Sequence, residues 1–293
     1  MDLWDGLGPH ALYVLEDLDP TVMQDGWFWC KWGEMMRSTV GACVMVGFLV
    51  AAGWCQGAQS DTKPEDKASV YVGGGAVISS QPYVGTDVRA YPLPLFAYEG
   101  KRLYFRGLTG GYWLFTFDGL SVGPVLQPRF EGYEEDDSSL LGGMDDRDWS
   151  VDGGIGVSWL TDIGLFGVSF VTDLLGKHNG QELDFSYTLL FKWAGFDFIP
   201  SAGVRWKSDN LVDYYYGVES DEIRFDQAIS RASYEGNDAV DPYLRMAVRR
   251  KLGGRWSLLG AIQYEWLDSE ITDSPIVDDN YEASFLLGIL YTW

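Results

Sequence analysis

The chain has 293 residues, a formal net charge of −22 and only three cysteines. The acidic balance excludes a nucleic-acid-binding surface, which must be basic, and favours cations, cationic small molecules or basic protein patches as partners. The sequence lacks the repeated apolar runs of roughly 20 residues that a bundle of membrane helices needs. Aromatic residues reach 15% and glycine is abundant, which fits a transmembrane β-barrel or an aromatic-rich soluble β-sandwich.

The amino-terminal region has the pattern of an export signal. Arg37 is followed by a short apolar stretch, and Ala58-Gln59-Ser60 fits a small-x-small cleavage site. We therefore expect a secretory signal peptide over residues 35–60 and a mature protein over residues 61–293, with a membrane anchor helix as the alternative. All cysteines precede residue 56, so the mature chain would hold no disulfide framework, thiolate zinc site or cysteine nucleophile.

Residues 1–34 do not belong to a normal export signal, because they are acidic and rich in tryptophan. Met35 and Met36 stand directly before Arg37. The simplest hypothesis is that translation begins at one of these methionines and that residues 1–34 are an upstream over-extension.

Alternation of side chains is the main structural signal. Successive side chains of a strand point to opposite faces of its sheet. In Tyr281–Trp293 the odd positions are large and apolar, the even positions are smaller and more polar, and similar rows recur along the chain. Aromatic residues stand at the ends of several apolar rows, where the girdles of a membrane barrel lie. We predict an all-β fold, a closed antiparallel transmembrane β-barrel.

Short turns and long polar loops alternate along the chain, as they do between the periplasmic and outer ends of such barrels. Counted back from the carboxyl terminus, this alternation predicts about ten strands. These lie near residues 69–80, 102–115, 119–131, 149–160, 163–173, 181–192, 196–207, 240–251, 255–267 and 281–293.

Two segments are left over by this count. Residues 91–96 contain Pro92 and Pro94, which lack ladder donors and argue against a central strand. Residues 212–218 form a strand or a loop folded into the lumen. Twelve strands are the alternative count, and the residues of these segments that we consider candidates to plug or wall the lumen are Pro92, Pro94, Tyr214, Tyr215 and Tyr216.

The inward face carries charges of both signs. By alternation the candidate lumen-lining residues are Arg106, Arg129, Asp152, Glu182, Asp184, Arg205, Arg245, Arg249, Gln263 and Glu265. One interpretation is a lumen closed by mutual ion pairs, and the other is a small polar channel or binding pocket. A ten-stranded barrel is little wider than the eight-stranded kind that side chains can fill, so wide-pore conduction is not expected.

The outer loops and one histidine are the remaining candidates for chemistry. The loops over residues 132–148 and 268–280 are acidic, and oxygen ligands suit divalent cations. Neither has the ligand spacing of an EF-hand, so we favour a solvated rim and predict no metal site. His178 follows Ser169 and Asp173, but a lone loop histidine is more often structural, and no hydrolase, P-loop or dinucleotide motif accompanies it. We predict no catalytic residue and no cofactor.

Several segments resemble the MipA/OmpV family of Gram-negative outer-membrane proteins. They are Tyr71–Gly107, Asp213–Val218, Asp273–Val277 and the aromatic carboxyl terminus, in family order across residues 69–293. The resemblance implies an outer-membrane barrel. One family member is named as a partner of a lytic transglycosylase that it scaffolds to a peptidoglycan synthase, and others are described as porin-like, adhesive or antibiotic-responsive. The family has no established catalytic residue to carry over.

Three hypotheses about function follow. The first is a non-enzymatic scaffold for a murein hydrolase or synthase, although short periplasmic turns offer it little docking surface. The second is a narrow porin-like channel or binding barrel for small cationic solutes, with divalent or organic cations attracted to the acidic loops. The third is a hydrolase centred on His178. In each case we expect contact with outer-membrane lipid, lipopolysaccharide and the barrel-assembly machinery.

The closing strand generates a prediction about assembly. Tyr291 and Trp293 would form the terminal signal read by the barrel-assembly machinery, as such termini do in similar proteins. We expect deletion of Trp293 to lower outer-membrane levels more than folding-neutral changes elsewhere, as measured by membrane fractionation. Normal levels of the truncated protein would refute this role.

Overall fold

The computed structural model describes residues 68–86, 88–226 and 230–293. The predicted export signal over residues 35–60 and the preceding residues 1–34 lie outside the described residues. Within the described ranges, no helix is long and apolar enough to cross a bilayer.

Strands make up most of the described chain, and most of them alternate between exposed and buried positions. In chain order they are β1 (Ser69–Ser79), β2 (Arg89–Glu99), β3 (Leu103–Arg106), β4 (Thr109–Tyr112), β5 (Phe115–Phe117), β6 (Leu120–Arg129), β7 (Ser150–Thr161), β8 (Gly164–Asp173), β9 (Gln181–Thr188), β10 (Phe191–Trp193), β11 (Phe196–Lys207), β12 (Arg224–Phe225), β13 (Ser230–Arg231), β14 (Ala239–Gly253), β15 (Trp256–Trp266) and β16 (Tyr281–Thr292). Helices α1 (Asp209–Tyr216) and α2 (Ser269–Thr272), the 3-10 turn Glu135–Asp137 and the β12–β13 hairpin lie in the long loops.

The sheet closes on itself as an antiparallel barrel of 12 strands. β4 and β5 together form one of these strands, and β9 and β10 form another. Closure comes from β1, which pairs with β16 from Tyr71–Thr292 to Ser79–Ser284. A closed sheet leaves few unpaired backbone groups facing lipid, which is the condition for a β-structure to span a bilayer.

The preferred count of ten strands is wrong, and the alternative count of twelve is correct. The segment predicted as one strand over residues 102–115 is a hairpin, because β3 ends at Arg106 and β4 starts at Thr109. Gly107 makes this turn possible with a positive φ of 68°. The second strand that the ten-strand count lacked is β2, which contains Pro92 and Pro94.

Residues 212–218 are not a barrel strand. The run Tyr214–Tyr216 forms the last turns of α1, which lies in the outer loop between β11 and β14. The twelve-strand alternative therefore had the right number but took one of its strands from the wrong segment.

The prolines of β2 are tolerated because half of this strand has a partner on one side only. β2 pairs with β1 along its whole length but with β3 only over Ala97–Glu99. The Phe96 carbonyl accepts a hydrogen bond from Gly107 N at 2.8 Å, so the even-numbered residues of β2 direct their backbone polar groups toward the β3 side. Pro92 and Pro94 share this parity, and their missing donors face an edge without a strand partner.

The two faces of the barrel wall differ as predicted for the closing strand. On β16, Phe285 and Leu287 are exposed, while Leu286 and Leu290 are buried inside the barrel. Inside the wall, an apolar cluster reaches from the middle of the barrel to its periplasmic end. It consists of Val77, Leu93, Leu95, Ile199, Ala247, Leu259, Ala261, Leu286 and Leu290.

A second apolar cluster caps the outer end, where loops and helices pack on one another. Its members are Tyr83, Tyr133, Leu141, Met144, Leu211, Val212, Tyr215, Tyr216, Val218, Ala239, Leu267, Ile271, Ile276 and Val277. An ion pair between Arg147 and Glu222, at 2.8 Å, lies against this cap. Burial raises the pKa of the Tyr133 hydroxyl, which therefore stays protonated at neutral pH. The polar part of the lumen lies between the two clusters.

The β1–β16 seam generates a prediction about barrel closure. A Cβ at Gly73 would overlap the carbonyl oxygen of Ile289 on β16, whereas a Cβ at Gly74 meets nothing within 4 Å. We expect Gly73→Ala to impair folding of the barrel, as measured by heat-modifiable migration in gels and by the thermal unfolding midpoint. Gly74→Ala is the matched control and should leave both unchanged; equal effects of the two variants would contradict the seam geometry.

A polar cavity in the barrel lumen

A cavity of about 170 Å³ lies in the lumen between the two apolar clusters. It is lined by side chains from many strands of the wall. Eight of the predicted inward residues border it: Arg106, Arg129, Glu182, Asp184, Arg205, Arg245, Gln263 and Glu265. Asp152 is buried beside Arg129, and Arg249 lies closer to the periplasmic end, next to Leu259.

Arg129 pairs with three carboxylates of the lumen. Its guanidinium contacts Asp152 at 2.6 Å, Glu182 at 2.8 Å and Glu131 at 3.1 Å. Because Asp152 is on β7 and Glu182 is on β9, these pairs tie together strands that are not adjacent in the wall. A guanidinium has enough donors to satisfy several carboxylates at once, which a lysine at this position could not do as well.

The chain of ion pairs continues across the lumen through Arg205. Arg205 contacts Glu265 at 2.8 Å, Glu182 at 3.4 Å and Asp184 at 3.8 Å, so Glu182 is shared between Arg129 and Arg205. Lys207 then contacts Asp241 at 2.8 Å and Glu265 at 3.7 Å. We call the connected set Asp152, Arg129, Glu131, Glu182, Asp184, Arg205, Glu265, Lys207 and Asp241 the lumen ion-pair chain.

Two further pairs lie outside this chain. Arg106 contacts Glu99 at 2.6 Å, and Arg249 contacts Asp197 at 2.7 Å. The Arg106 guanidinium also stacks over the Tyr104 ring at 4.4 Å from its centroid. Each pair joins neighbouring strands, so it supports the wall locally and does not cross the lumen.

Two charged side chains on the cavity wall lack an ionic partner within the described ranges. Arg245 donates to the neutral amide oxygen of Gln263 at 2.7 and 2.9 Å, and no carboxylate pairs with it. Glu282 lines the cavity on β16 and stands directly across from Glu265 on β15. Arg245 is therefore a positive group of the cavity that no carboxylate pairs within the described ranges, and Glu282 is a carboxyl that faces a second carboxyl.

Hydrogen bonds to both ring nitrogens fix the orientation of the His178 side chain. Its Nδ1 accepts a hydrogen bond from Gly180 N at 3.1 Å, so Nε2 carries the proton and donates it to Asp152 at 3.1 Å. Asp173 accepts hydrogen bonds from the backbone N–H of His178 at 2.8 Å and of Asn179 at 3.0 Å. The imidazole side chain is fully buried, so this arrangement shapes the β8–β9 loop and presents no free base.

Among the described residues, one group has the ligand types and spacing of a metal site. It consists of Asp152, Asp173 and His178, whose ligand atoms lie within 4.8 Å of one another. The hydrogen bonds just described and the Arg129 pair already use these atoms.

Some carboxylates of the acidic outer loops also have partners within the protein. Asp137 pairs with Arg89 at 2.7 Å, and Asp268 accepts from Glu270 N at the start of α2.

The candidate plug and wall residues occupy different places. Pro92 and Pro94 lie in the wall on β2 and are exposed on its outer surface. Tyr215 and Tyr216 are buried in the outer cap, and the Tyr214 hydroxyl accepts from Asp148 N at 3.0 Å. The tyrosines therefore close the outer mouth, while the prolines do not enter the lumen.

Several residues of the lumen were missed by the sequence analysis. Lys207 follows Arg205 with the same parity, and Asp241 has the parity of Arg245, so alternation alone contained the signal for both. Glu99 was missed because its segment was not assigned to a strand. Glu282 was assigned to the more polar face of the closing strand but was not included among the inward residues.

The lumen ion-pair chain generates a prediction about stability. Arg129→Met removes the guanidinium that Asp152, Glu182 and Glu131 share, and of these three buried carboxylates Glu182 alone keeps a second cation, Arg205. We expect a loss of about 3–5 kcal/mol in the free energy of unfolding, measured by denaturant titration in detergent. Arg224→Met, which breaks the exposed pair with Asp226, is the control and should cost at most about 1 kcal/mol. Equal shifts would show that the chain of pairs does not stabilise the barrel.

Comparison with known proteins agrees with this architecture. The family model described as MltA-interacting protein MipA matches residues 72–293. The MltA-interacting protein of Escherichia coli K12 is 31% identical over 222 residues, which cover 75% of this chain and 88% of that protein. Outer membrane protein OmpV of Vibrio cholerae is 26% identical over 185 residues, covering 62% of this chain and 70% of that protein.

A comparison with solved structures finds other outer-membrane barrels. An outer-membrane channel from Pseudomonas putida F1 aligns with a TM-score of 0.40 and 10% identity, covering 80% of this chain and 99% of that one. The family match extends over nearly the whole described barrel, and the homologues are named as outer membrane proteins. The chain is thus an outer-membrane β-barrel protein and a member of the MltA-interacting protein MipA family.

Proposed function

We propose that the protein is a non-enzymatic scaffold that anchors a murein enzyme, of the lytic transglycosylase type, to the inner side of the outer membrane. The name of the Escherichia coli relative, MltA-interacting protein, supports this class of partner. The features of the barrel that favour it are a filled lumen and a periplasmic rim of distinctive charge.

The filled lumen favours anchoring over conduction. From the outer end inward, the described residues form an apolar cap, a polar layer crossed by the lumen ion-pair chain, and an apolar cluster around Leu95 and Ile199. An ion entering from outside would have to displace the cap and then pass an apolar layer, where a charge is strongly disfavoured.

The observation that carries the proposal is the charge of the short turns. The chain as a whole has a formal net charge of −22, and its outer loops are acidic. Among the residues that the structure describes, the exposed charged residues at the periplasmic rim are nevertheless mostly basic: Lys101, Arg102, Lys192, Arg250, Lys251 and Arg255, against Asp118 and Asp162. We call these basic residues the periplasmic basic rim. Basic residues at the rim attract an acidic protein surface and orient it during association. This attraction does not require long loops.

The geometry around His178 favours a non-enzymatic role. A general base needs a free nitrogen within reach of a substrate proton. Both ring nitrogens of His178 form hydrogen bonds within the protein, and the side chain is buried.

A second candidate function is a binding barrel for a small polar solute. The cavity of about 170 Å³ favours it, because several water molecules or one small solute fit in that volume. Arg245 gives the cavity a positive group that no carboxylate pairs within the described ranges, so we do not restrict this solute to cations.

The rim hypothesis predicts a charge-dependent interaction. Replacing Lys101, Arg102, Lys251 and Arg255 by Glu should weaken capture of a purified lytic transglycosylase at least about tenfold, because like charges then face each other. The measurement is surface-immobilised binding of the barrel in nanodiscs, repeated at increasing salt.

The matched control reverses charges at the other end of the barrel. Lys177→Glu with Arg224→Glu replaces exposed basic loop residues by acidic ones, as the rim variant does, without touching the periplasmic basic rim. This control should bind the enzyme like the unmodified protein. Undiminished capture by the rim variant, or equal loss in both variants, would contradict docking at the rim.

A further inference from the structure

One arginine near the periplasmic end of β14 faces outward, toward lipid. The odd-numbered residues of β14 are buried up to Arg249, which pairs with Asp197 inside the barrel at 2.7 Å. The next residue, Arg250, therefore belongs to the outer face of the wall, and it is exposed. Within the described ranges no carboxylate pairs with Arg250. Its guanidinium lies over the Phe196 ring, 4.7 Å from the centroid.

The side chains around Arg250 are apolar. Phe196 on β11 and Leu258 on β15 are its direct neighbours across the sheet. On β14 itself, Val248 precedes it on the same face, and Leu252, which is 55% exposed, follows it toward the rim. A cation that faces hydrocarbon is strongly disfavoured in the middle of a membrane and is tolerated near the head groups, which an arginine side chain can reach.

The depth of Arg250 fits the head-group region of the periplasmic leaflet. β14 ends three residues later, at Gly253, and a short turn leads to β15. At roughly 3.3 Å per residue, the Arg250 Cα lies about 10 Å along the strand from that end. The rings of Trp256 and Tyr291, 5.0 Å apart, lie on the two neighbouring strands as part of an interfacial girdle. The anion within reach of the guanidinium is thus a lipid phosphate.

The charge of the hairpin favours an anionic head group. Lys251 and Arg255 are exposed beside Arg250, and between Tyr243 and Tyr264 the sequence has no aspartate or glutamate. This cluster of cations repels the ammonium group of a zwitterionic lipid such as phosphatidylethanolamine. Clusters of lysine and arginine at a membrane surface attract anionic lipids for the same reason.

The ring beneath the guanidinium leaves the hydrogen-bonding capacity of Arg250 unused. A cation–π contact attracts the charge but supplies no lone pair in the plane of the guanidinium. An arginine has five N–H donors, arranged so that two of them can bind two oxygens of one phosphate. Phe196 therefore supports the guanidinium, and the oxygen partners come from outside the protein.

We propose that the outer surface of the β14–β15 hairpin binds one anionic glycerophospholipid of the periplasmic leaflet, such as a phosphatidylglycerol. Arg250 donates to its phosphate, and one acyl chain lies along Val248 and Leu258. Phe196 positions the guanidinium and contacts the chain beside it.

This lipid site is independent of the scaffold function. Arg250 is part of the periplasmic basic rim, but the rim variant described above leaves it unchanged. Enzyme capture tests the scaffold function, and the lipid preference of an Arg250 variant tests the lipid site, so either can fail without the other.

The lipid preference is measured on the purified protein by native mass spectrometry. The probes are palmitoyl-oleoyl phosphatidylglycerol and palmitoyl-oleoyl phosphatidylethanolamine, each titrated into the same detergent. We expect the first phosphatidylglycerol to bind at least about tenfold more tightly than the first phosphatidylethanolamine. Equal dissociation constants for the two lipids would overturn the proposal.

Paired variants test the residues of the site. Arg250→Gln should abolish the preference for phosphatidylglycerol, whereas Arg102→Gln, which removes an exposed arginine from another periplasmic turn, should retain it. Phe196→Leu should weaken phosphatidylglycerol binding about threefold, whereas Phe117→Leu at the same end of the barrel should not. Heat-modifiable migration checks that each variant folds. An unchanged preference in folded Arg250→Gln, or an equal loss in Arg102→Gln, would contradict the site.

The position and the source of the phosphate are tested on the unmodified protein in nanodiscs. A phosphatidylglycerol with a photoactivatable diazirine in its acyl chain should cross-link mainly at Val248 and Leu258, as mapped by mass spectrometry. Equal labelling of Ile155, a lipid-facing residue on another part of the wall, would overturn the proposal by showing only surrounding lipid. Free glycerol 1-phosphate should not compete with the probe, and competition as strong as by phosphatidylglycerol would show a site for soluble phosphate instead.

Discussion

The barrel depends on how its lumen is filled. Twelve strands enclose more space than eight, and that space must hold either water or side chains. Here Arg129 and Arg205 are placed so that both contact Glu182, and each then reaches further carboxylates on other strands. A buried ion pair has little net worth compared with an apolar pair of similar size, but removing one partner is expensive. The chain of pairs therefore specifies one arrangement of the lumen rather than simply adding stability.

The same arrangement explains the division of the barrel into layers. Apolar residues such as Leu95 and Ile199 fill the periplasmic half, where the connections that the structure describes are short turns. The outer end is closed by α1, α2 and the long loops, whose apolar residues form a separate cluster. The acidic loops and the periplasmic basic rim then give the two ends opposite charge. This difference in charge is consistent with the proposed scaffold function, in which the partner binds at the rim and no solute passes through a pore.

Much of this architecture follows from alternation in the sequence. The alternation of odd and even positions along each strand placed Arg129, Glu182 and Arg205 on the inward face. A strand that spans lipid must direct its polar side chains to the lumen. Parity cannot show which of these charges meet, since Arg129 and Glu182 are 53 residues apart and join only after closure. The strand count failed at β2 because the rule against proline in central strands assumes partners on both sides. A four-residue strand such as β3 is also too short to give a recognisable pattern.

Within the described residues, the protein's own side chains close the lumen. Planar-bilayer recording of the refolded barrel, from single insertions at a range of voltages, tests it most directly. We expect the barrel to insert without a steady current above that of the bare bilayer. A steady, ion-selective conductance through the unmodified protein would contradict it.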